Sequence, residues 1–153
     1  MNWAPHVTVA AVIVHDGRYL MVEEAPDGHA VINQPAGHLE HGESLIEAVC
    51  REVLEETART FTPNGLIGVY QWSPPARPRA TYLRFCFTGQ VGDRDPAQAL
   101  DPDILATHWL RRDEIARGRW EPRSPLVLRC IDDARHKSPI ALDRIQAFNA
   151  KGD

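Results

Sequence analysis

The chain has 153 residues, of which 43% are hydrophobic and 25% are charged, and its formal net charge is −4. This length predicts a single domain spanning 1–153, and the composition excludes a disordered or coiled-coil protein. The net negative charge argues against a general surface for nucleic-acid polymers, although a locally basic site on such a protein can still bind small phosphorylated molecules.

The cysteines and the apolar segments indicate the compartment. Cys50, Cys86 and Cys130 are widely spaced, which predicts reduced thiols that pack as small hydrophobic residues. The apolar run Val7–Val14 is too short to span a bilayer and follows no basic segment. The sequence therefore predicts a cytoplasmic protein without a membrane partner.

The first third of the chain reads as strands. A β-branched run from Val7 to His15 and a second run from Arg18 to Glu24 flank Asp16-Gly17, which predicts an antiparallel hairpin. A short strand at Val31-Ile32 follows. A polar loop with two glycines comes next, from residue 36, and its entry is stiffened by Pro35.

A helix is predicted after this loop, because about fourteen residues without Gly or Pro follow it. Ser44 is a suitable N-cap, and Glu47 three residues later completes a capping box. At 100° per residue, Glu52, Glu55 and Glu56 share a sector of about 100° beside an apolar stripe.

Strands and helices alternate through the rest of the chain, which predicts an α/β protein, an α/β/α sandwich with a mixed sheet. We expect a turn at 63–65, a proline-rich loop at 73–79 and a polar connection at 92–101. The predicted elements are strands at Leu66–Trp72, Thr81–Gly89 and Ala106–Arg111, a short helix from Asp113, and a longer helix at Ser124–His136.

The three helical carboxylates need an explanation because like charges three and four residues apart repel one another. A hard divalent cation would offset the repulsion, since carboxylate oxygens are the ligands that Mg²⁺ prefers. The alternative is a solvated helix face without a function.

The residues before and within the helix resemble the Nudix box, the signature of hydrolases that act on nucleoside diphosphates linked to another group. The chain departs from the pattern at its last two positions, where Ala58 replaces a glycine and Arg59 replaces an aliphatic residue. The glycine matters if the backbone there needs a positive φ. The matching positions are Gly37, Glu43, Arg51, Glu52, Val53, Glu55 and Glu56.

The resemblance implies a metal site and its chemistry. It implies Mg²⁺, with Mn²⁺ as a possible substitute, held by Glu52, Glu55 and Glu56 and by the carbonyl of Ala36. It also implies that Glu52 acts as a base or bridging ligand. From their spacing, Glu43 or Glu47 can pair with Arg51 and so fix the carboxylates, while contact of Arg51 with phosphate is the alternative.

Segments outside the box resemble bacterial phosphatases of the same family. That likeness implies a monomer that releases orthophosphate from nucleoside di- and triphosphates and from the pyrophosphates of the thiamine pathway. The segments are Pro5–Ala10, Val22–Glu24, Asn33–Glu40, Gln71-Trp72, Leu83–Phe85 and Arg123–Val127.

Substrate selectivity requires residues outside the box. Trp72 can stack on a heterocyclic ring and Arg84 can bind a terminal phosphate, although Trp72 could equally pack in the core. Gln34 and His6 are further candidates for substrate binding, with a capping or surface role as the alternative for His6. Asp101 and Asp103 could add a metal ligand or a base.

Two other functions remain open. A nucleotide-pool sanitising pyrophosphohydrolase would release PPi instead of orthophosphate. A catalytically silent binding module of the same fold would be expected to have lost box glutamates, and here they are all present.

Overall fold

A computed structural model describes residues 2–148 of the chain. Two of its strands contain only two residues each. The strands are β1 His6–Val12, β2 Val14–His15, β3 Arg18–Glu24, β4 Val31–Asn33, β5 Ala36–His38, β6 Phe61–Trp72, β7 Tyr82–Val91, β8 Ile104–Leu110 and β9 Glu121–Pro122. The helices are α1 Leu45–Thr57, α2 Arg112–Arg117 and α3 Leu126–His136, followed by a 3₁₀ turn at Leu142–Arg144.

The strands form two hydrogen-bonded sheets. The first has the order β5-β1-β7-β6, and the second has the order β2-β3-β4-β9 with β8 also paired to β3. β1 pairs with β7 in parallel and β4 with β9 in parallel, while the remaining pairs are antiparallel. The predicted α/β fold with mixed strand pairing is therefore confirmed.

Helices α1 and α3 cover opposite faces of the first sheet. Successive residues of a strand face opposite sides, and in β1 both sides are buried. Val9 and Ala11 pack with Val49 and Val53 of α1. On the other face, Ala10 and Val12 share a cluster with three buried residues of α3, Val127, Cys130 and Ile131. The sheet consequently lies between two helical layers.

The hairpin at Asp16-Gly17 forms as predicted. Both residues have positive φ angles, 48° and 72°, which two-residue hairpin loops with the right-handed strand twist require. β2 pairs with β3 through His15 and Arg18. The first predicted strand is interrupted at Ile13, however, so that β1 and β2 belong to different sheets.

The predicted turn at 63–65 is wrong, since β6 runs through it from Phe61 to Trp72. Pro63 and Gly65 pair with Gly89 and Thr88, and the register shifts between them. β6 is the edge strand of its sheet, and proline is tolerated at edges and bulges because its missing N–H interrupts no central ladder.

Part of the predicted glycine loop is also a strand. Ala36–His38 forms β5, which pairs with β1 through Gly37 and Val9. Three residues are too few for a periodic signal in the sequence. The pairing places the box glycine at a sheet edge beside α1.

The end of β3 is paired through two glutamates, Glu23 and Glu24. Glu23 accepts a hydrogen bond of 2.8 Å from His108, which lowers the pKa of the Glu23 carboxyl. Glu24 is buried and forms an ion pair with Arg123. Both partners lie about a hundred residues away in sequence, so no local pattern indicates them.

The thiols and the helices agree with the sequence. Cys86 and Cys130 are buried, Cys50 is half-buried, and all three are free. Within residues 2–148, no helix is long and apolar enough to cross a bilayer.

Candidate active site

Helix α1 begins with the predicted cap. The Ser44 hydroxyl accepts a hydrogen bond from the Glu47 N–H, and the Glu47 carboxylate accepts one from the Ser44 N–H. Glu47 is therefore used in the cap and does not pair with Arg51, which the sequence had left open. The helix ends at Thr57, and Ala58 is its C-cap.

The glutamates of α1 meet the open edge of β5. The Glu56 carboxylate accepts a 3.0 Å hydrogen bond from the Ala36 N–H. The Glu52 carboxylate lies against Gly37: an added Cβ at Gly37 would be 2.1 Å from Glu52 Cδ. A glycine is needed here because the carboxylate occupies the space of a side chain, and the Gly37 φ lies outside the left-handed region.

Arg51 connects the carboxylates to one another. Its Nε and Nη2 donate to the two oxygens of Glu43 at 3.0 and 2.7 Å. Its Nη1 donates to Glu52 at 2.8 Å and to Glu55 at 3.3 Å. The bidentate contact fixes the plane of the guanidinium, so that Glu43 and Arg51 together hold Glu52 in place.

Burial and like charges raise the pKa values of two glutamates. Burial raises the pKa of Glu56 to about 9, against the hydrogen bond from Ala36, with further increases from the charges of Glu52 and Asp101. Burial also raises the pKa of Glu52, although Arg51 opposes it. Glu55 is more exposed, at 43% of its side chain. The site therefore concentrates carboxyl groups that gain from an added cation.

Backbone oxygens face the same edge. Arg51 Nη2 donates to the carbonyl of His38 at 3.0 Å. Alternate residues of a strand direct their backbone groups to the same side, so the carbonyl of Ala36 points to this edge as well. Of the predicted set, the Ala36 carbonyl, Glu52 and Glu56 therefore lie at one edge of β5, while Glu55 is linked to Glu52 through Arg51.

The donor set suits a hard divalent cation, because it consists of carboxylate and carbonyl oxygens. In the part of the chain that the structure describes, no three carboxylate, imidazole or thiol groups already converge on one point. Arg51 instead lies between Glu43, Glu52 and Glu55. The Glu52 and Glu55 carboxylates are therefore joined through the Arg51 guanidinium.

Arg84 lies on the face of the sheet that α3 covers. It is 8% exposed and donates to Gln34 at 3.1 Å and to Asn33 at 3.5 Å. None of the ion pairs found among residues 2–148 includes Arg84. These two partners are neutral amides, and the Cys130 thiol also lies within hydrogen-bond reach of Arg84. Because none of these groups is a carboxylate, the charge of Arg84 remains available to an anion.

Two more predicted residues, His6 and Trp72, lie on the same face as Arg84. Their strands pair so that His6 is opposite Tyr82 and Tyr82 is opposite Trp72. The His6 and Tyr82 rings stack at 4.9 Å, and Trp72 is 6.1 Å from Tyr82. Trp72 also packs on the core, which is the alternative considered for it, and its stacking on a substrate ring stays a prediction.

Asp101 approaches the carboxylates from the connection between β7 and β8. Its N–H donates to the Glu55 carbonyl at 2.8 Å, and its charge raises the pKa values of Glu52 and Glu56. Asp103 donates its N–H to the Asp101 carboxylate. The connection therefore caps the end of α1, and of these two aspartates Asp101 is the one whose charge acts on the site.

Sequence reasoning missed several residues near the site. Asn33 contacts Arg84, His38 contacts Arg51 through its carbonyl, and Tyr82 lies between His6 and Trp72. Alternation along 82–86 could have indicated that Tyr82 and Arg84 share a face. The contacts of Asn33 and His38 depend on tertiary structure.

Comparison with known proteins gives one family. Residues 4–130 match the family described as NUDIX domain. Proteins named Phosphatase NudJ from Escherichia coli K12 and Shigella sonnei Ss046 are each 40% identical over 145 residues, which cover 95% of this chain and 93% of theirs.

Solved structures agree. A NUDIX hydrolase from Nitrosomonas europaea is 47% identical with a TM-score of 0.92, covering 97% of this chain and 100% of that one. A MutT NUDIX hydrolase from Burkholderia pseudomallei, 22% identical with a TM-score of 0.70 over 85% of this chain and 98% of its own, shares the fold. Nudix hydrolases generally use divalent metals. The chain therefore belongs to the Nudix hydrolase family and is an enzyme that acts on phosphoanhydride-type substrates.

Proposed function

We propose that this hydrolase is a Mg²⁺-dependent phosphatase that acts as a cytoplasmic monomer. It releases orthophosphate from nucleoside di- and triphosphates and from the pyrophosphates of the thiamine pathway. The observation that carries this proposal is the set of carboxylates from α1 at the β5 edge, with Glu56 on the Ala36 N–H and Glu52 against Gly37. The name of relatives at 40% identity, Phosphatase NudJ, supports the choice of orthophosphate.

The cation would be held by Glu52, Glu55, Glu56 and the carbonyl of Ala36. These are hard oxygen ligands, which favour Mg²⁺ and accept Mn²⁺. When bound, a divalent cation neutralises charge on the phosphate oxygens and lowers the pKa of water.

The protein side chains supply position and proton transfer. Glu52 is our candidate base, because Arg51 holds its carboxylate against the β5 edge. Burial also raises the pKa of Glu52, and a higher pKa makes a carboxylate a stronger base. Glu43 fixes Arg51 through two hydrogen bonds. Loss of Glu43 or of Arg51 would let the Glu52 carboxylate turn away from the edge of β5.

Substrate binding is assigned to the face of Arg84. Its guanidinium is buried beside the amides of Gln34 and Asn33 and the Cys130 thiol, and none of the ion pairs among residues 2–148 includes it, so it can bind a terminal phosphate. Gln34 orients Arg84, because its own amide is fixed by a 2.7 Å hydrogen bond to the Val127 carbonyl. His6 and Trp72 provide aromatic contacts on the same face.

The bond that is cut tests the proposal. If Arg84 binds the terminal phosphate, water attacks the outermost phosphorus and the product is shorter by one phosphate. In ¹⁸O-labelled water, a nucleoside triphosphate is then expected to give labelled orthophosphate and unlabelled diphosphate. Thiamine diphosphate is expected to give the monophosphate and labelled orthophosphate. The position of the label is measured by ³¹P NMR or mass spectrometry.

Other products would favour the alternatives. PPi as the first product from a triphosphate would refute terminal attack and support a sanitising pyrophosphohydrolase. Tight nucleotide binding without turnover, with Mg²⁺ or Mn²⁺ present, would instead indicate a silent binding module.

Ala58 tests whether the departure from the family glycine limits the enzyme. Ala58 has φ 55° and is buried, so the position does require a left-handed backbone. That conformation costs an alanine roughly 1 kcal/mol, while its buried methyl contributes about 0.8 kcal/mol. Because these effects nearly cancel and Ala58 follows the last carboxylate, we expect Ala58→Gly to keep kcat/KM within a few-fold. A large gain in turnover would contradict this expectation.

A further inference from the structure

Four aromatic side chains form a continuous row across the first sheet, which we call the aromatic row: His38, His6, Tyr82 and Trp72. They come from β5, β1, β7 and β6, and the strand register places them on one face. The His38 and His6 rings meet edge to face at 5.8 Å, His6 stacks on Tyr82 at 4.9 Å, and Tyr82 lies 6.1 Å from Trp72.

Helix α3 covers only part of this face. Further along the strands, Cys86 is buried in the cluster that includes Val127 and Ile131, and Tyr70 donates to Asp133 at 2.8 Å. At the row, by contrast, His6 and His38 are exposed, and Tyr82 and Trp72 are half-buried. The row therefore presents aromatic groups at an open end of the sheet.

Two buried polar residues, Thr8 and Arg84, lie between the row and the part of the face that α3 covers. One position further along the same face, Thr8 lies opposite Arg84, and both are less than a tenth exposed. Arg84 carries a charge that its amide partners Gln34 and Asn33 do not neutralise. An anion that approaches Arg84 therefore lies beside the aromatic row.

The row also reaches Arg51, the residue that holds the carboxylates of Glu43 and Glu52. The His38 carbonyl accepts the 3.0 Å hydrogen bond from Arg51, while the His38 ring contacts His6. A ligand whose phosphates lie at the β5 edge and at Arg84 can thus place an attached ring on the row without leaving the protein surface.

We infer that the aromatic row is the subsite for a flat heteroaromatic group attached to the phosphates of the substrate, with Tyr82 and His38 as specificity-determining residues beside His6 and Trp72. This inference rests on the proposed function. Aromatic side chains bind such rings by stacked and edge-to-face contacts. Because the row residues already pack on one another, little side-chain freedom is lost on binding.

The test compares substrates with and without a ring. Cytidine triphosphate and inorganic tripolyphosphate have the same number of phosphates, but only the first has a heterocycle. The variants Tyr82→Leu and His38→Leu each remove one aromatic group of the row and keep an apolar side chain. Phe148→Leu is the matched control, since Phe148 is a highly exposed aromatic residue outside the row. Thermal unfolding confirms that each variant is folded.

In each row variant, the ratio of kcat/KM for cytidine triphosphate to kcat/KM for tripolyphosphate is expected to fall about 10-fold or more, mainly through KM. In the control the ratio is expected to stay constant. An equal loss with both substrates would overturn the inference and leave the proposed function intact, because the row would then only support the fold or the carboxylates.

If hydrolysis is weak, a binding measurement tests the ring subsite separately from the proposed phosphatase function. Cytidine monophosphate binding is measured by calorimetry without turnover, and its dissociation constant is expected to rise about 10-fold in the row variants. An unchanged constant would overturn the inference. A raised constant in a protein that hydrolyses neither substrate would retain the row as a ring subsite and reject the phosphatase.

Discussion

Glu56→Gln is expected to lower kcat/KM with Mg²⁺ about 100-fold or more while the chain remains folded. A neutral amide does not hold a divalent cation as a carboxylate does. The fold is expected to persist because a glutamine oxygen can still accept the hydrogen bond from the Ala36 N–H. Steady-state kinetics and calorimetric titration with Mn²⁺ measure the two effects.

Without bound metal, in the presence of EDTA, Glu56→Gln is also expected to change how the free energy of unfolding depends on pH. Burial raises the pKa of Glu56 to about 9 from an ordinary value of 4.5. Ionisation therefore favours the unfolded chain, and the parent should lose stability as the pH rises from about 4.5 towards 9. Glu56→Gln lacks this contribution, so urea unfolding should show it to be at least as stable as the parent across that range.

Glu47→Gln is the matched control, since it makes the same change on the same helix. Glu47 caps Ser44 and makes no contact with Arg51 among the hydrogen bonds and ion pairs of residues 2–148. Glutamine also serves in a capping box. Near-normal turnover in Glu56→Gln, or an equal loss in the control, would refute the assignment of Glu56 to the cation.

Gly37→Ala is expected to reduce kcat about 100-fold, with little change in the unfolding temperature. The new Cβ would lie 2.1 Å from Glu52 Cδ, so the flexible carboxylate has to move. The β5 backbone itself accepts alanine, because the Gly37 φ lies outside the left-handed region. Displacement of a catalytic group by about 1 Å can cost 10²-fold in rate.

Gly92→Ala is the control for a glycine-to-alanine change. A Cβ at Gly92 would have no heavy atom within 4 Å, and its φ also lies outside the left-handed region. We expect normal kcat in this variant. If Gly37→Ala kept kcat within a few-fold of the parent, the position of Glu52 against β5 would not matter for the reaction, and its role as base would be wrong.

The carboxylate set of α1 could be predicted because it depends on local periodicity. Glu52, Glu55 and Glu56 share a helix sector whatever the rest of the chain does, and Ser44 with Glu47 defines where the helix begins. The hairpin at Asp16-Gly17 is predictable for the same reason. Both features follow from backbone geometry over a few residues.

The turn expected at 63–65 shows where local signals fail. Pro63, Asn64 and Gly65 have the composition of a turn, but β6 continues through them with a register shift. What decides the outcome is that β6 lies at the edge of its sheet, and this is a property of the whole fold.

The sequence by itself determined the family signature, the acidic face of α1 and the alternation of strands and helices, because each depends on residues that are close together in the sequence. Only the tertiary structure decided that Gly37 makes room for Glu52, that Arg84 has amide partners, and that His6 lies beside Tyr82. β1 and β7 pair in parallel across about seventy residues, and parallel neighbours are selected by the packing of the intervening elements. A local pattern therefore predicts which side chains share a face of one strand, while the fold determines which strands lie side by side.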